Sequence, residues 1–301
     1  MRFLAEFVMK NPSRAIGAAA VTALIPVLSL FSSAIVALVW LRMGPAQGAK
    51  VLLAAAIPGI YYWLSAASPD VLLAVIGAAV LAEILRNNQG WSRALLVGTL
   101  AAAFVAITVK WLDDDLQTQI IGVLLDQGGL IERYDLNTFD QQQLAVTLGW
   151  LFNGVITAVQ LLMLIASLLL ARWWQSILYN PGGFQSEFHA IRLPLWSSVC
   201  LPLVLILVAS GQTWLLSAVP VLLVPHLIAG IALVHGVFAI KKYNSFWLGL
   251  LYVLLFLAQP YMSLLLVLIA LADSLIDIRH QLAPPPSTPP SLKKDDDDGE
   301  A

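Results

Sequence analysis

Charge is what this sequence has least of. Only 11% of its 301 residues are Asp, Glu, Lys or Arg, against 59% hydrophobic residues and a mean hydropathy of +0.84. A water-soluble domain carries about 25% charged residues, so a chain of this composition lacks the polar atoms to cover a solvated surface. Seven of its charges sit in the last nine residues, which leaves the remainder poorer still. The net charge of −2 excludes a nucleic-acid binder with a basic face. Cysteine is nearly absent: the single Cys200 cannot form an internal disulfide. Also missing are His-Glu-x-x-His, Gly-x-Ser-x-Gly, a phosphate-binding loop with lysine, and any Cys/His cluster at metal spacing. These absences point away from an enzyme and away from a bound cofactor or metal, and an ATP-driven step would need another subunit.

What is present is long apolar runs. A helix crossing a hydrocarbon core of about 30 Å needs about 20 residues. The uncharged runs are 15–41, 51–69, 71–82, 94–109, 141–171, 193–240 and 243–272. Run 193–240 is too long for one helix and turns at Ser210, Gly211 and Gln212, so at least eight segments are expected in an all-α, polytopic helical membrane protein over residues 1–280. Run 15–41 exceeds the 7 to 15 residues of a secretory h-region and reads as an uncleaved segment. After 280 the chain changes to a Pro-rich, then acidic stretch, 281–301, of disordered composition.

Lys and Arg mark cytoplasmic loops. They cluster near the N-terminus, at Arg42 with Lys50, Arg86 with Arg93, Arg172 with Arg192, and Lys241 with Lys242. Residues 110–143 instead carry seven acidic residues against Lys110 and Arg133 and read as an outer loop, with Leu116, Ile120, Ile121, Leu124 and Leu125 at amphipathic helical spacing. All basic clusters, and the N-terminus, can be cytoplasmic if 15–41 breaks near Pro26 into two short limbs. A single tilted helix is the alternative. Run 243–272, with Gln259 and Pro260 at its middle, poses the same question. Trp40, Trp63, Trp111, Trp173, Trp174, Trp196, Trp214 and Trp247 lie near segment ends, as an interfacial belt would.

Polar residues inside apolar runs are functional candidates. The ligand-binding candidates are His226, His235, Asn153 and Gln160. The two histidines are nine residues apart and project from opposite sides of a helix, so they cannot share a metal; each also fits a hydrogen-bonded packing role. Glu83 stands three residues before Arg86 and fits an interfacial ion pair. Ala15, Ala19 and Ala23 form a small-residue stripe suited either to internal packing or to docking a partner subunit. The elbow Arg172-Trp-Trp-Gln-Ser-Ile-Leu-Tyr-Asn-Pro-Gly-Gly-Phe-Gln-Ser-Glu-Phe-His-Ala-Ile-Arg192 turns at Asn180 to Gly183 and offers Arg172, Trp173, Trp174, Glu187 and Arg192 as a contact site. Asp273, Asp277 and Arg279 close the last segment, the aspartates either as helix-end caps or in a pair with Arg279 or with a basic loop.

The elbow, the His235-Gly236 pair near a basic turn, and Asp273-Ser-Leu-Ile-Asp277-Ile-Arg279 together resemble the YybS-like family of bacterial multi-pass membrane proteins of unknown function. That family is similar to the substrate-binding S-components of energy-coupling-factor vitamin transporters and, more distantly, to the cell-shape protein MreD. The resemblance implies an S-component-like bundle in the bacterial inner membrane, a transport role in binding a small molecule, and Ala15, Ala19 and Ala23 as the face for a coupling membrane subunit with ATPases. An S-component has six helices, fewer than expected here. The alternative is a non-catalytic scaffold in the lipid bilayer whose elbow and tail recruit cytoplasmic or envelope-assembly proteins.

Overall fold

Proline and glycine divide the chain where local chemistry requires it. The computed structural model describes residues 2–66, 68–112, 121–123 and 138–282, and every regular element among them is helical. Helix α1 (Arg2–Met9) is followed by α2 (Pro12–Ala23), whose start is set by Asn11: its side chain accepts from the Ser13 amide at 2.9 Å, and Pro12 occupies the first turn, where an N–H is dispensable. Pro26 then opens a 3-10 turn, Pro26–Leu28, that leads into α3 (Ser29–Met43). The break expected near Pro26 is therefore present. The two limbs pack on each other, and the Ser32 hydroxyl donates to the Ala19 carbonyl at 2.8 Å between them.

Helices α4 (Pro45–Ala66), α5 (Asp70–Arg86), α6 (Gly90–Leu112) and α7 (Thr138–Tyr179) follow. Helix α7 has 42 residues and no proline, and at 1.5 Å per residue it runs about 63 Å, roughly twice a hydrocarbon core. It begins inside the segment assigned to the outer loop, so that loop is shorter than 110–143 at both ends. Of the amphipathic pattern expected there, Leu116, Ile120, Leu124 and Leu125 lie outside the described residues. Ile121 is buried against Ala145. The tail 283–301 also lies outside them.

The elbow comprises a turn and α8 (Gly183–His189). The hairpin expected at Ser210 to Gln212 joins α9 (Leu195–Ala209) through a 3-10 turn, Thr213–Ser217, to α10 (Ala218–Ile240), with Gly211 at φ +102°. Run 243–272 breaks as well, into α11 (Phe246–Leu257) and α12 (Tyr261–Ile276), before the short α13 (Ile278–Leu282). Among the described residues, five stretches are long and apolar enough to cross a membrane: Pro26–Met43, Pro45–Ala66, Gly90–Val109, Asp140–Tyr179 and Thr213–Ile240. The shorter apolar helices among the described residues are α9, α11 and α12. Large apolar side chains cover the outside, with Val27 and Phe256 more than four-fifths exposed, as in a chain compatible with multi-pass insertion.

Small residues hold the interior together. Ala15, Ala19, Ala23, Ala34, Ala55 and Ala78 are buried where α2, α3, α4 and α5 meet. At Gly230 a Cβ would fall 2.2 Å from the Leu266 carbonyl oxygen, which lets α10 and α12 approach backbone to backbone. The stripe Ala15, Ala19 and Ala23 is at most 1% exposed, so the internal-packing reading holds for it and the docking reading does not: α3 and α4 already cover it.

Contacts gather the basic clusters at one end of the bundle. The Arg42 guanidinium lies 4.1 Å from the Tyr179 ring centroid, and the Ser92 hydroxyl donates to the Arg192 carbonyl at 2.5 Å. Arg2 and Lys242 border the same groove.

Candidate functional site

The elbow begins where α7 ends. The Ser176 hydroxyl donates to the Asn180 carbonyl at 2.7 Å and accepts from the Phe184 amide at 3.2 Å, fastening the turn on both sides. Gly182 stands at φ +86°, a left-handed conformation that reverses the chain into α8. Arg172 then reaches across the turn. Its Nε donates to Glu187 Oε2 at 2.9 Å and its Nη2 to Oε1 at 2.7 Å, a two-pronged ion pair that ties α8 to α7. Glu187 is therefore occupied within the chain. Trp174 is fully buried, not interfacial, and its indole N–H has no hydrogen-bond partner among the described residues. Trp173 is exposed and faces a groove. Trp63, Trp196 and Trp247 are about half exposed, as a belt requires.

Arg192 ends the elbow by capping another helix. Its Nε and Nη2 donate to the Asp273 carbonyl at 3.1 and 3.0 Å, and Nη2 also donates to the Ser274 carbonyl at 3.2 Å. Its Nη1 donates to Asp277 Oδ2 at 2.9 Å. Free carbonyls at a helix C-terminus favour such a cation. The buried Asp273 carboxylate accepts from the Ile278 amide at 2.9 Å and stands 3.9 Å from both Arg192 and Arg279. Both readings of the closing motif hold, since Asp273 caps the helix end and pairs with the elbow. Arg279 is mostly enclosed, and burial pushes its guanidinium below its ordinary value against the pull of Asp273 and Asp277. Gly236 makes room for this arrangement: a Cβ there would meet the His189 carbonyl at 3.2 Å and Arg279 Nε at 3.4 Å.

Elbow, His235-Gly236 and closing motif, far apart in sequence, thus form one cluster. Beside it opens a groove of about 1130 Å³ between α7 and α8 on one side and α10 and α11 on the other. Its walls include Leu169, Trp173, Phe238 and Leu248, and its polar lining includes Arg2, Lys242, His189 and His235. The His235 ring stacks edge-on with Phe188 at 5.6 Å and with Tyr252 at 5.8 Å, and lies 6.1 Å from the His189 ring. Because a carbonyl only accepts, His235 Nδ1–H donates to Ile231 at 3.0 Å, which leaves Nε2 to accept from the Tyr252 hydroxyl at 3.3 Å. Burial holds the His189 imidazole below the ordinary histidine range, and the His235 imidazole and Arg279 guanidinium act in the same direction.

The other ligand candidates do not join this groove. His226 is buried on α10; its Nδ1–H donates to the Leu222 carbonyl at 2.9 Å, and its Nε2 lies 3.5 Å from the Ser198 hydroxyl, itself 2.6 Å from Ser274. The Asn153 side chain donates to the Ala106 carbonyl, and Gln160 donates to the Asp70 carboxylate, joining α7 to α6 and to α5. Each polar side chain is met by a different neighbour, so His226, Asn153, Gln160 and His235 form no common pocket. Glu83 pairs with Arg86 at 3.4 Å as expected and also accepts from the Trp40 indole at 2.7 Å. No group of three or more His, Cys, Asp or Glu suited to a metal occurs among the described residues.

Arg2, Lys242 and Tyr252 are groove residues that no motif announced. Lys242 belongs to the basic pair Lys241 with Lys242, but nothing in the spacing of Tyr252 connects it with His235 across the turn. Comparison with protein-family models, with curated proteins and with solved structures gives no match for this chain.

Proposed function

We propose that this chain is a multi-pass protein of the bacterial cytoplasmic membrane, with its N-terminus and basic end facing the cytoplasm. Its role on this reading is transport-related: it binds a small molecule in the elbow groove and catalyses nothing itself. The observation that carries the reading is the groove, a roomy, mainly apolar recess with a few convergent polar groups, the usual form of a small-molecule site. The ligand-binding residue retained from the sequence is His235, joined by Trp173, Lys242 and Tyr252.

Two features weigh against the scaffold alternative as framed on the elbow. Arg172 and Glu187 spend their charges on each other, and Trp174 is buried, so the elbow presents Trp173 alone of that set as an exposed aromatic anchor. The buried alanine stripe means that a coupling subunit with ATPases would dock on another surface.

The test is a melting-temperature screen of the detergent-purified chain against a vitamin and metabolite panel, beside a mild-detergent pull-down with mass spectrometry. A stabilising ligand whose effect disappears in Trp173→Ala, together with a recovered coupling subunit and ATPases, supports the reading. No ligand in a well-folded preparation, with envelope-assembly proteins recovered and no ATPase, overturns it in favour of the scaffold.

A further inference from the structure

The elbow groove combines two surfaces that seldom share one recess. Its walls are apolar, formed by Leu169, Leu170 and Trp173 of α7 opposite Phe238 and Leu248. Its charged lining is of one sign: Arg2 and Lys242 line it, and no Asp or Glu does among the described residues. The Lys242 ammonium has no carboxylate within ion-pair distance among the described residues, whereas Arg2 is shared with Glu6 at 2.8 Å. His189 and His235 add two imidazoles without adding an acid. A polar, uncharged metabolite would leave the Lys242 ammonium unanswered, and a purely hydrophilic anion would leave the walls unused.

Two further observations suit a groove at the level of lipid headgroups. Helix α1 is amphipathic, with Ala5 and Val8 buried against the bundle, Phe3 and Phe7 exposed, and Arg2 and Lys10 at its ends, the pattern of a helix lying in the membrane interface. The Arg14 guanidinium sits 5.2 Å from the Phe7 ring centroid, which holds another cation at that depth. On the opposite side α11 stands off from the bundle. Of its residues only Leu251 is buried, and Phe246, Trp247, Phe256 and Leu257 are more than half exposed. The groove is thus lined by α7 on one side and on the other by α11, a helix whose apolar side chains are largely exposed.

We infer that the groove is a headgroup site for an anionic phospholipid, with the phosphate between Lys242 and Arg2 and the acyl chains along the α7 wall toward α11. Basic recesses between helices at the cytoplasmic boundary suit phosphate headgroups in this way. The assignment rests on the groove being a binding site, as proposed above, and names its ligand class. His189 and His235 face the headgroup from α8 and α10, with the Tyr252 hydroxyl beside them and Arg279 behind.

The experiment is native mass spectrometry of the full chain, delipidated in neutral detergent and titrated separately with dioleoylphosphatidylglycerol, dioleoylphosphatidylcholine and inorganic phosphate. The expected result is retention of phosphatidylglycerol in preference to phosphatidylcholine. Lys242→Gln should weaken it about fivefold, and Arg2→Gln combined with Lys242→Gln about twenty-five-fold, at roughly one factor of five per charge near the surface. Lys241→Gln, one residue away but outside the groove, should leave affinity unchanged. All three positions are exposed, so folding is retained and is checked by melting temperature. Equal binding of both lipids, an equal loss in Lys241→Gln, or displacement of lipid by inorganic phosphate overturns the inference. If phosphatidylglycerol fails while a soluble metabolite stabilises the chain in a Trp173-dependent way, the lipid assignment falls and the binding role stands. If neither binds, both fall.

Discussion

Arg192 and Asp277 meet at 2.9 Å across 85 residues of sequence, and the same guanidinium closes the carbonyls of Asp273 and Ser274. One side chain thereby fixes the end of the elbow to the end of α12. Arg192→Ala removes all of these donors at once and should destabilise the chain by about 2 kcal/mol, the scale of a charged hydrogen-bond set that is partly solvated. Arg192→Lys keeps the charge but loses the planar fork and should recover less than half of that. Detergent melting curves of both variants measure the difference.

The Arg172–Glu187 pair predicts a coupling, not a recruiting surface. Arg172→Ala and Glu187→Ala should each destabilise, and the double variant should cost less than their sum by about 1 kcal/mol, since a two-pronged geometry exceeds an ordinary surface pair. A double-mutant cycle on thermal or denaturant unfolding reads it. Additive losses would show that the pair contributes nothing to holding α8 against α7.

Two glycines on neighbouring helices should respond oppositely to alanine. Gly230→Ala drives a Cβ to 2.2 Å from the Leu266 carbonyl oxygen, and as backbone cannot yield like a side chain, the cost should be about 3 kcal/mol or more. Gly249→Ala on α11 meets nothing within 4 Å and should stabilise by about 0.5 kcal/mol through helix propensity. The same melting assay compares them.

His189 gives stability a pH dependence of defined sign. Its folded-state value lies below that of the unfolded chain because of burial, His235 and Arg279, so the unfolded state takes up the proton first. Its contribution to stability is complete above the ordinary histidine value of about 6.5 and is lost as pH falls through and below it. The neighbouring charges from the packed elements, Arg172 with Glu187, Arg279 with Asp273, and the His235 imidazole, are retained in His189→Asn. That variant should show a flatter melting temperature between pH 7.5 and about 5 than the unaltered chain. An identical slope would remove His189 as the cause.

The helical segments were legible because they depend on run length and on local covalent chemistry. Pro26, Ser210 to Gln212 and Gln259-Pro260 stand where helices break, through missing N–H groups and turn propensity, whereas Pro58, Pro202 and Pro225 are carried inside helices. The extent of α7 was less legible. Its first residues, around Asp140 and Gln141, carry the polarity of a loop, yet they continue a helix whose next turns pack Ala145 against Ile121. The candidate site was legible in pieces: elbow, His235-Gly236 and Asp273 to Arg279 were each distinguishable, but not their meeting.

The sequence alone determined that this chain consists of apolar helices, where most of them end, and that its basic residues recur at alternate connections. Only tertiary structure decided which polar groups meet. Asn153, Gln160 and His226 are answered by three different neighbours; Ala15, Ala19 and Ala23 turn inward; Arg192 caps a helix 81 residues away. The reason is geometric. Helix formation is set by neighbours along the chain, but each further residue turns a side chain by about 100°, so a shift of one position in the packing of two helices changes every partner across their interface.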